Sequence, residues 1–139
     1  PFEIAGAPWL DPWRLAADLE RERLPGVRFR PLCFRPTFHK HAGQLCGGVQ
    51  LHLTDRRRFP AFLAYLLLIH HARRQDPGAF AWRQPPYEYE LVKLPIDILC
   101  GGDAARRALE AGRSPRRLLP AWKSQLQRFR ARRRPYLLY

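Results

Sequence analysis

Between Arg28 and Asp55 the sequence reads RFRPLCFRPTFHKHAGQLCGGVQLHLTD, the densest run of side chains able to bind or react. Gln50, His52 and Thr54 alternate with Val49, Leu51 and Leu53. On an extended strand the polar three share one face, with successive side chains about 7 Å apart. That spacing is close to the distance between polar groups along a sugar unit, and an amide, an imidazole and a hydroxyl together suit hydroxyls or amides of a ligand. Thr37, Phe38, His39 and Lys40 lie just upstream, and Trp9 and Trp82 offer rings. Concave sites combine aromatic walls with a few polar groups. A solvated outer sheet face would show the same alternation, so the aromatic-polar segment is what makes the row a candidate pocket wall.

Other chemistry is weaker. Cys33, His39, His41 and Cys46 are ligand types for tetrahedral zinc, but their spacing matches no finger or ribbon, and no metal is expected. The cysteine count is odd, with Cys100 the third, and a core of this size needs no disulfide framework. A single Cys33 to Cys46 bridge stays open if the natural compartment is oxidising. His70 and His71 are neighbours on a helix, where side chains diverge by about 100°, so they do not chelate together and read as surface or helix-end residues. The acids Glu3, Asp11, Asp55, Glu88, Glu90 and Asp97 fall mostly at caps or turns, whereas glycosidic cleavage uses two placed carboxyls. Only Glu3 and Asp55 stand near the polar row. No P-loop, nucleophile elbow or dinucleotide fingerprint occurs, and Gly47-Gly48 and Gly101-Gly102 are isolated pairs. This chain is expected to hold no catalytic residue and no cofactor.

The elements that must position these residues follow from local signals. Asp11-Pro12 caps and opens a helix expected from about Asp11 to Arg23, closed by Leu24-Pro25-Gly26. From Val27, Pro31 and Pro36 forbid helix and allow only an edge or irregular strand. The alternating Val49 to Thr54 run is a strand with one apolar face. Phe59 to Arg74 is apolar at three- and four-residue spacing and predicts a buried helix, stopped by Asp76-Pro77-Gly78. Phe80 to Tyr89 is aromatic and proline-rich, hence loop or short strands. Ile96 to Leu99 and Asp103 to Ala111 are short helices, the second capped by Asp103 and closed by Gly112. Leu118, Trp122, Leu126 and Phe129 stripe a final helix, where Pro120 forces a kink or a later start. The apolar terminus Pro135 to Tyr139 is expected to be tied down. Without a βαβ rhythm the reading is α+β: a small mixed sheet packed with helices in a single domain.

At 139 residues and 46% hydrophobic the chain can bury its own core. Its longest apolar run, Ala61 to Ile69, is less than half of the ~20 residues a membrane-spanning helix needs. From the absence of methionine and the opening on Pro1-Phe2-Glu3, the chain is expected to be a piece of a longer protein. The net charge of +13 comes from 22 Arg against 3 Lys, an Arg bias as much as a basic surface. It leaves open an alternative, a stand-alone basic module for a polyanion such as nucleic acid. The charge is scattered, however, and lacks the basic-aromatic motif of a known reader, so nucleic acid is disfavoured.

Several phrases together resemble a known family. Pro1-Phe2-Glu3, Gly6-Ala7-Pro8-Trp9, Gly26 to Pro31, Pro36-Thr37-Phe38, Cys46 to His52, Thr54-Asp55-Arg56, Leu94 to Asp97 and Tyr136 to Tyr139 look like the C-terminal domain of the exo-β-N-acetylmuramidase family, in register over nearly the whole chain. The resemblance implies that residues 1–139 are an auxiliary, cleft-lining domain. A Rossmann-like catalytic domain carrying the catalytic glutamate is expected upstream as its partner. The implied substrate is a muramic-acid-containing glycan of peptidoglycan, in a periplasmic or secreted setting, and the isolated domain is expected to be inactive. Carried across by position, Glu3, Thr37, Phe38, Lys40, Gln50 and His52 face the cleft. Lys40 or Arg30 would pair with the lactyl carboxylate. The segment His39-Lys40-His41-Ala42 departs from the family pattern.

Overall fold

Asp11 starts the first helix as its chemistry requires. Its carboxylate accepts hydrogen bonds from the backbone N–H of Trp13 (2.9 Å) and Arg14 (3.1 Å), and Pro12 takes the first turn, where no N–H is needed. In the computed structural model, which describes residues 3–138, this helix α1 spans Pro12–Arg21 and follows a short strand β1, Ile4–Ala7. Pro1, Phe2 and Tyr139, parts of the phrases above, lie outside the described residues. Strands β2 (Val27–Phe34) and β3 (Cys46–Leu53) complete a sheet of order β1-β3-β2. Both pairings are antiparallel, so the sheet of this α+β fold is antiparallel throughout instead of mixed. Pro31 sits on β2, an edge strand, where its missing N–H is tolerated.

The helical elements continue with α2 (Ala61–Gln75), α3 (Pro95–Leu99), α4 (Ala104–Glu110) and, after a 3-10 turn at Pro115–Leu118, α5 (Leu119–Arg133). Leu15 and Leu19 of α1 and Leu63, Ala64, Leu67 and Leu68 of α2 pack on Val27, Phe29, Val49 and Leu51 of the sheet. Each large side chain so enclosed contributes about 1.5–3 kcal/mol relative to exposure. The opposite side of α2 supplies Leu66 to a second cluster with Ala105 and Leu109, flanked by Trp82, Leu118 and Trp122. A helix held between two apolar clusters is apolar nearly all round, which is why AFLAYLLLI carries no polar stripe.

Gly47 and Gly48 are more than an isolated pair. A Cβ at Gly48 would run into the carbonyl oxygen of Ala5, and one at Gly47 into that of Leu10. The central strand is bare at these two positions so that β1 and the entry to α1 can close against it.

Several expectations change. Leu53 is exposed at the end of β3, and Thr54 lies beyond the strand, its N–H bonded to Gly26 O at 2.9 Å. Asp103 precedes α4 but makes no side-chain cap, because its carboxylate pairs with Arg107 at 2.8 Å instead. Pro120 gives the later start, lying in the first turn of α5 without a kink. That helix buries none of its residues, and Leu138 beyond it is 95% exposed, so the described end of the chain is not tied down. His70 and His71 are both buried in α2, not at the surface.

Candidate functional site

The outer face of the sheet is built by register. Val27 and Phe29 turn inward to the core, which sends Arg28 and Arg30 outward. In the β2–β3 ladder Arg28 stands opposite His52 and Arg30 opposite Gln50, while Ile4 of β1 flanks Gln50 on the other side. The row foreseen as Gln50-His52-Thr54 is therefore a two-dimensional patch: Gln50 and His52, widened by two arginines, with Thr54 off its end. Arg30 Nη2 donates to Gln50 Oε1 at 2.6 Å. Arg28 Nη1 donates instead to Glu20 Oε2 at 2.9 Å, and Glu20 Oε1 accepts the Phe29 N–H at 2.8 Å. The two cations thus differ: Arg28 is matched by a carboxylate, whereas Arg30 is oriented by a neutral amide and keeps its charge for an incoming anion.

Glu3 is exposed at the start of β1, and its backbone oxygen accepts the Leu51 N–H at 2.7 Å, tying the strand entrance to the same patch. Its charge also reaches Tyr65, whose phenol is pushed up first by burial and then by Glu3.

The remaining candidates occupy the 35–45 loop between β2 and β3. Gly43 closes it through its N–H to Pro36 O (2.8 Å) and its own carbonyl to Arg35 Nη1 (3.0 Å). His39 (φ 61) and His41 (φ 59) take left-handed backbone there, a conformation costing of order 1–3 kcal/mol for such residues. The departure at His39-Lys40-His41 is thus a local backbone feature. Thr37 is exposed and Phe38 is 71% exposed, its ring edge-on to His39. Lys40 and His41 turn the other way, onto a groove of about 450 Å³ shared with Trp9, Phe34 and Phe80. The Trp9 and His41 rings meet edge to face at 5.8 Å.

The sequence-derived set therefore divides in two. Arg30, Gln50 and His52 share the sheet face, with Glu3 at its margin, while Thr37, Phe38 and Lys40 belong to the loop. Trp82 joins neither: its indole N–H donates to Glu110 Oε1 at 3.0 Å over the second cluster, and Phe80 lines the groove in its place. Arg28 and Phe34 were missed, although the VRFR alternation was the signal for the first. Cys33 and Cys46 are free thiols. Phe34 is the cross-strand partner of Cys46, so Cys33, one residue away, projects from the opposite face. Among the described residues no group of three or more His, Cys, Asp or Glu could hold a metal ion.

One polar cluster gave no sequence signal. His71 Nε2 meets Glu22 Oε1 at 3.0 Å, Arg116 Nε donates to Glu22 Oε2 at 2.6 Å, and Arg116 also bonds the Glu22 carbonyl. Burial opposes ionisation of Glu22, but the hydrogen bonds from Arg116 and His71 outweigh it and hold the carboxyl below its ordinary range. This network ties the end of α1 to α2 and to the turn before α5, and its role is structural.

Known proteins share this architecture. The family described as exo-β-N-acetylmuramidase NamZ, C-terminal, matches residues 1–139. The chain is 37% identical over 139 residues to the peptidoglycan β-N-acetylmuramidase NamZ of Bacillus subtilis strain 168, covering all of this chain and 32% of that relative. It superposes on a DUF1343 family protein from Bacteroides fragilis with a TM-score of 0.83 at 23% identity, covering all of this chain and 35% of that one, a likeness of fold. The chain thus spans about a third of the length of these relatives. With the match running the full length of the sequence, the chain belongs to the exo-β-N-acetylmuramidase NamZ family, of which it is the C-terminal domain.

Proposed function

We propose that this domain forms one wall of the substrate cleft of a peptidoglycan exo-β-N-acetylmuramidase, with the Arg30-Gln50-His52 face turned toward terminal N-acetylmuramic acid. The observation that carries the reading is Arg30, which pairs with no carboxylate among the described residues and is held in place by Gln50 on an exposed sheet face. N-acetylmuramic acid differs from its neutral sugar relatives by a lactyl carboxylate, and a fixed guanidinium pairs well with a carboxylate. Gln50 and His52 add amide and imidazole groups for sugar hydroxyls. Lys40, with Thr37 and Phe38 on the loop of the same hairpin, would contact the ligand from there, and Glu3 from the β1 edge. In this reading bond cleavage belongs to a Rossmann-like domain preceding this one, and this domain contributes binding and orientation.

The test is release of N-acetylmuramic acid from a disaccharide by the full-length protein. Gln50→Ala and His52→Ala are expected to raise KM with the fold intact. Unchanged kinetics in both variants would remove the sheet face from the cleft.

A further inference from the structure

Helix α5 is fifteen residues long and buries none of them, yet Leu119, Trp122, Leu126 and Phe129 recur on one side of it. Phe62 of α2 meets the Trp122 ring edge to face at 5.2 Å, and the two walls enclose a groove of about 790 Å³ lined otherwise by Leu119, Pro120, Lys123 and Leu126. Leu126 of the lining is 47% exposed, and Phe129, three residues further along the same stripe, is 55% exposed. Every charged residue from Arg113 onward is basic. The α5 wall of the apolar groove therefore carries only cations.

We propose that this groove seats the preceding domain of the full-length polypeptide through an apolar projection ringed by acidic side chains. Length supports that occupant: the chain accounts for only 32% and 35% of its two relatives, and in the family it is the C-terminal unit. About two thirds of each relative thus lies outside the matched region and is available within the same molecule. A second copy of this face would bring one cationic rim against another, which opposes association. A lipid surface is flat, whereas this apolar area is a cleft between two helices that fits a protruding side chain. The interface rests on the family's longer architecture and not on the sugar-binding reading, so a failure of one is distinguishable from a failure of the other.

Hydroxyl-radical footprinting of the full-length protein reads side-chain cover directly. Leu91, 73% exposed on the loop before α3 and outside the groove lining, is the reference for leucine chemistry. Leu126 is expected to oxidise at about one tenth the rate of Leu91, because an interface core excludes water. In Leu126→Glu, Phe129 oxidation should rise severalfold while Leu67 of the core stays protected, showing that the domain is still folded. Leu126 and Leu91 rates in the ratio of their exposures would overturn the proposal. So would protection that grows with protein concentration alongside a doubled mass in light scattering, or protection that appears only with phosphatidylglycerol vesicles.

Discussion

Arg30 and Gln50 face each other across the β2–β3 pair, and the 2.6 Å hydrogen bond between them fixes a guanidinium without cancelling its charge. A carboxylate at position 50 would keep the geometry and remove the free cation. Gln50→Glu is therefore expected to weaken binding of N-acetylmuramic acid by the full-length protein by about tenfold or more, the worth of one charge-assisted hydrogen bond. Isothermal titration measures it, and undiminished affinity would mean that Arg30 does not meet the acid.

Close approach of β1 to β3 depends on a missing side chain. Gly48→Ala places a methyl group against the Ala5 carbonyl, within backbone that cannot yield as a flexible side chain does. The expected loss is about 1–3 kcal/mol, as for other overpacked sites. Thermal unfolding checks it: a Tm equal to that of the unaltered protein would show that β1 is free to move.

Two groups, the buried His70 and the half-buried Glu22, predict a stepped response to acid. Burial, with the charges of His71 and Arg74, lowers the His70 pKa below 6.5. Between that lowered value and 6.5 the unfolded chain binds a proton that the folded one does not, so stability falls as pH drops through this window. Glu22, whose pKa is lowered below 4.5, contributes stability that is present above 4.5 and lost as pH falls through its folded value. Melting curves from pH 8 to pH 3 should show both steps. His70→Leu is expected to remove the first and Glu22→Gln the second; a variant that keeps its own step contradicts the assignment.

Thiol reactivity follows exposure. Cys33 is exposed, while burial shields Cys46 and pushes its thiol up. Cys33 is expected to react with an aromatic disulfide reagent at once and Cys46 only on unfolding. Mass mapping of the labelled peptides distinguishes them, and early labelling of Cys46 would contradict its burial.

The legible parts of this fold were those fixed by local chemistry. Asp11-Pro12 set a helix start, and the strict alternation of Val49 to His52 set a strand and its outward row. Pro31 marked an edge. What escaped depended on pairing between distant segments. Arg28 gains meaning only opposite His52, and Glu22 only between His71 and Arg116, 49 and 94 residues away. Trp82 was drawn to the wrong wall because composition names a ring without its direction, and the Glu110 carboxylate that turns it is 28 residues on. The stripe on α5 had helical spacing, but spacing alone does not show what covers it. The foreseen site consequently split into a sheet face and a loop.

Arg30 is the side chain proposed to read the acid of the sugar. Competitive inhibition of the full-length protein by N-acetylmuramic acid and by N-acetylglucosamine measures this in one ratio. The unaltered protein should prefer the acid by roughly tenfold or more, and Arg30→Ala should abolish most of that preference while leaving affinity for the neutral sugar nearly unchanged. An Arg30→Ala protein that discriminates between the two sugars as well as the unaltered one would contradict it.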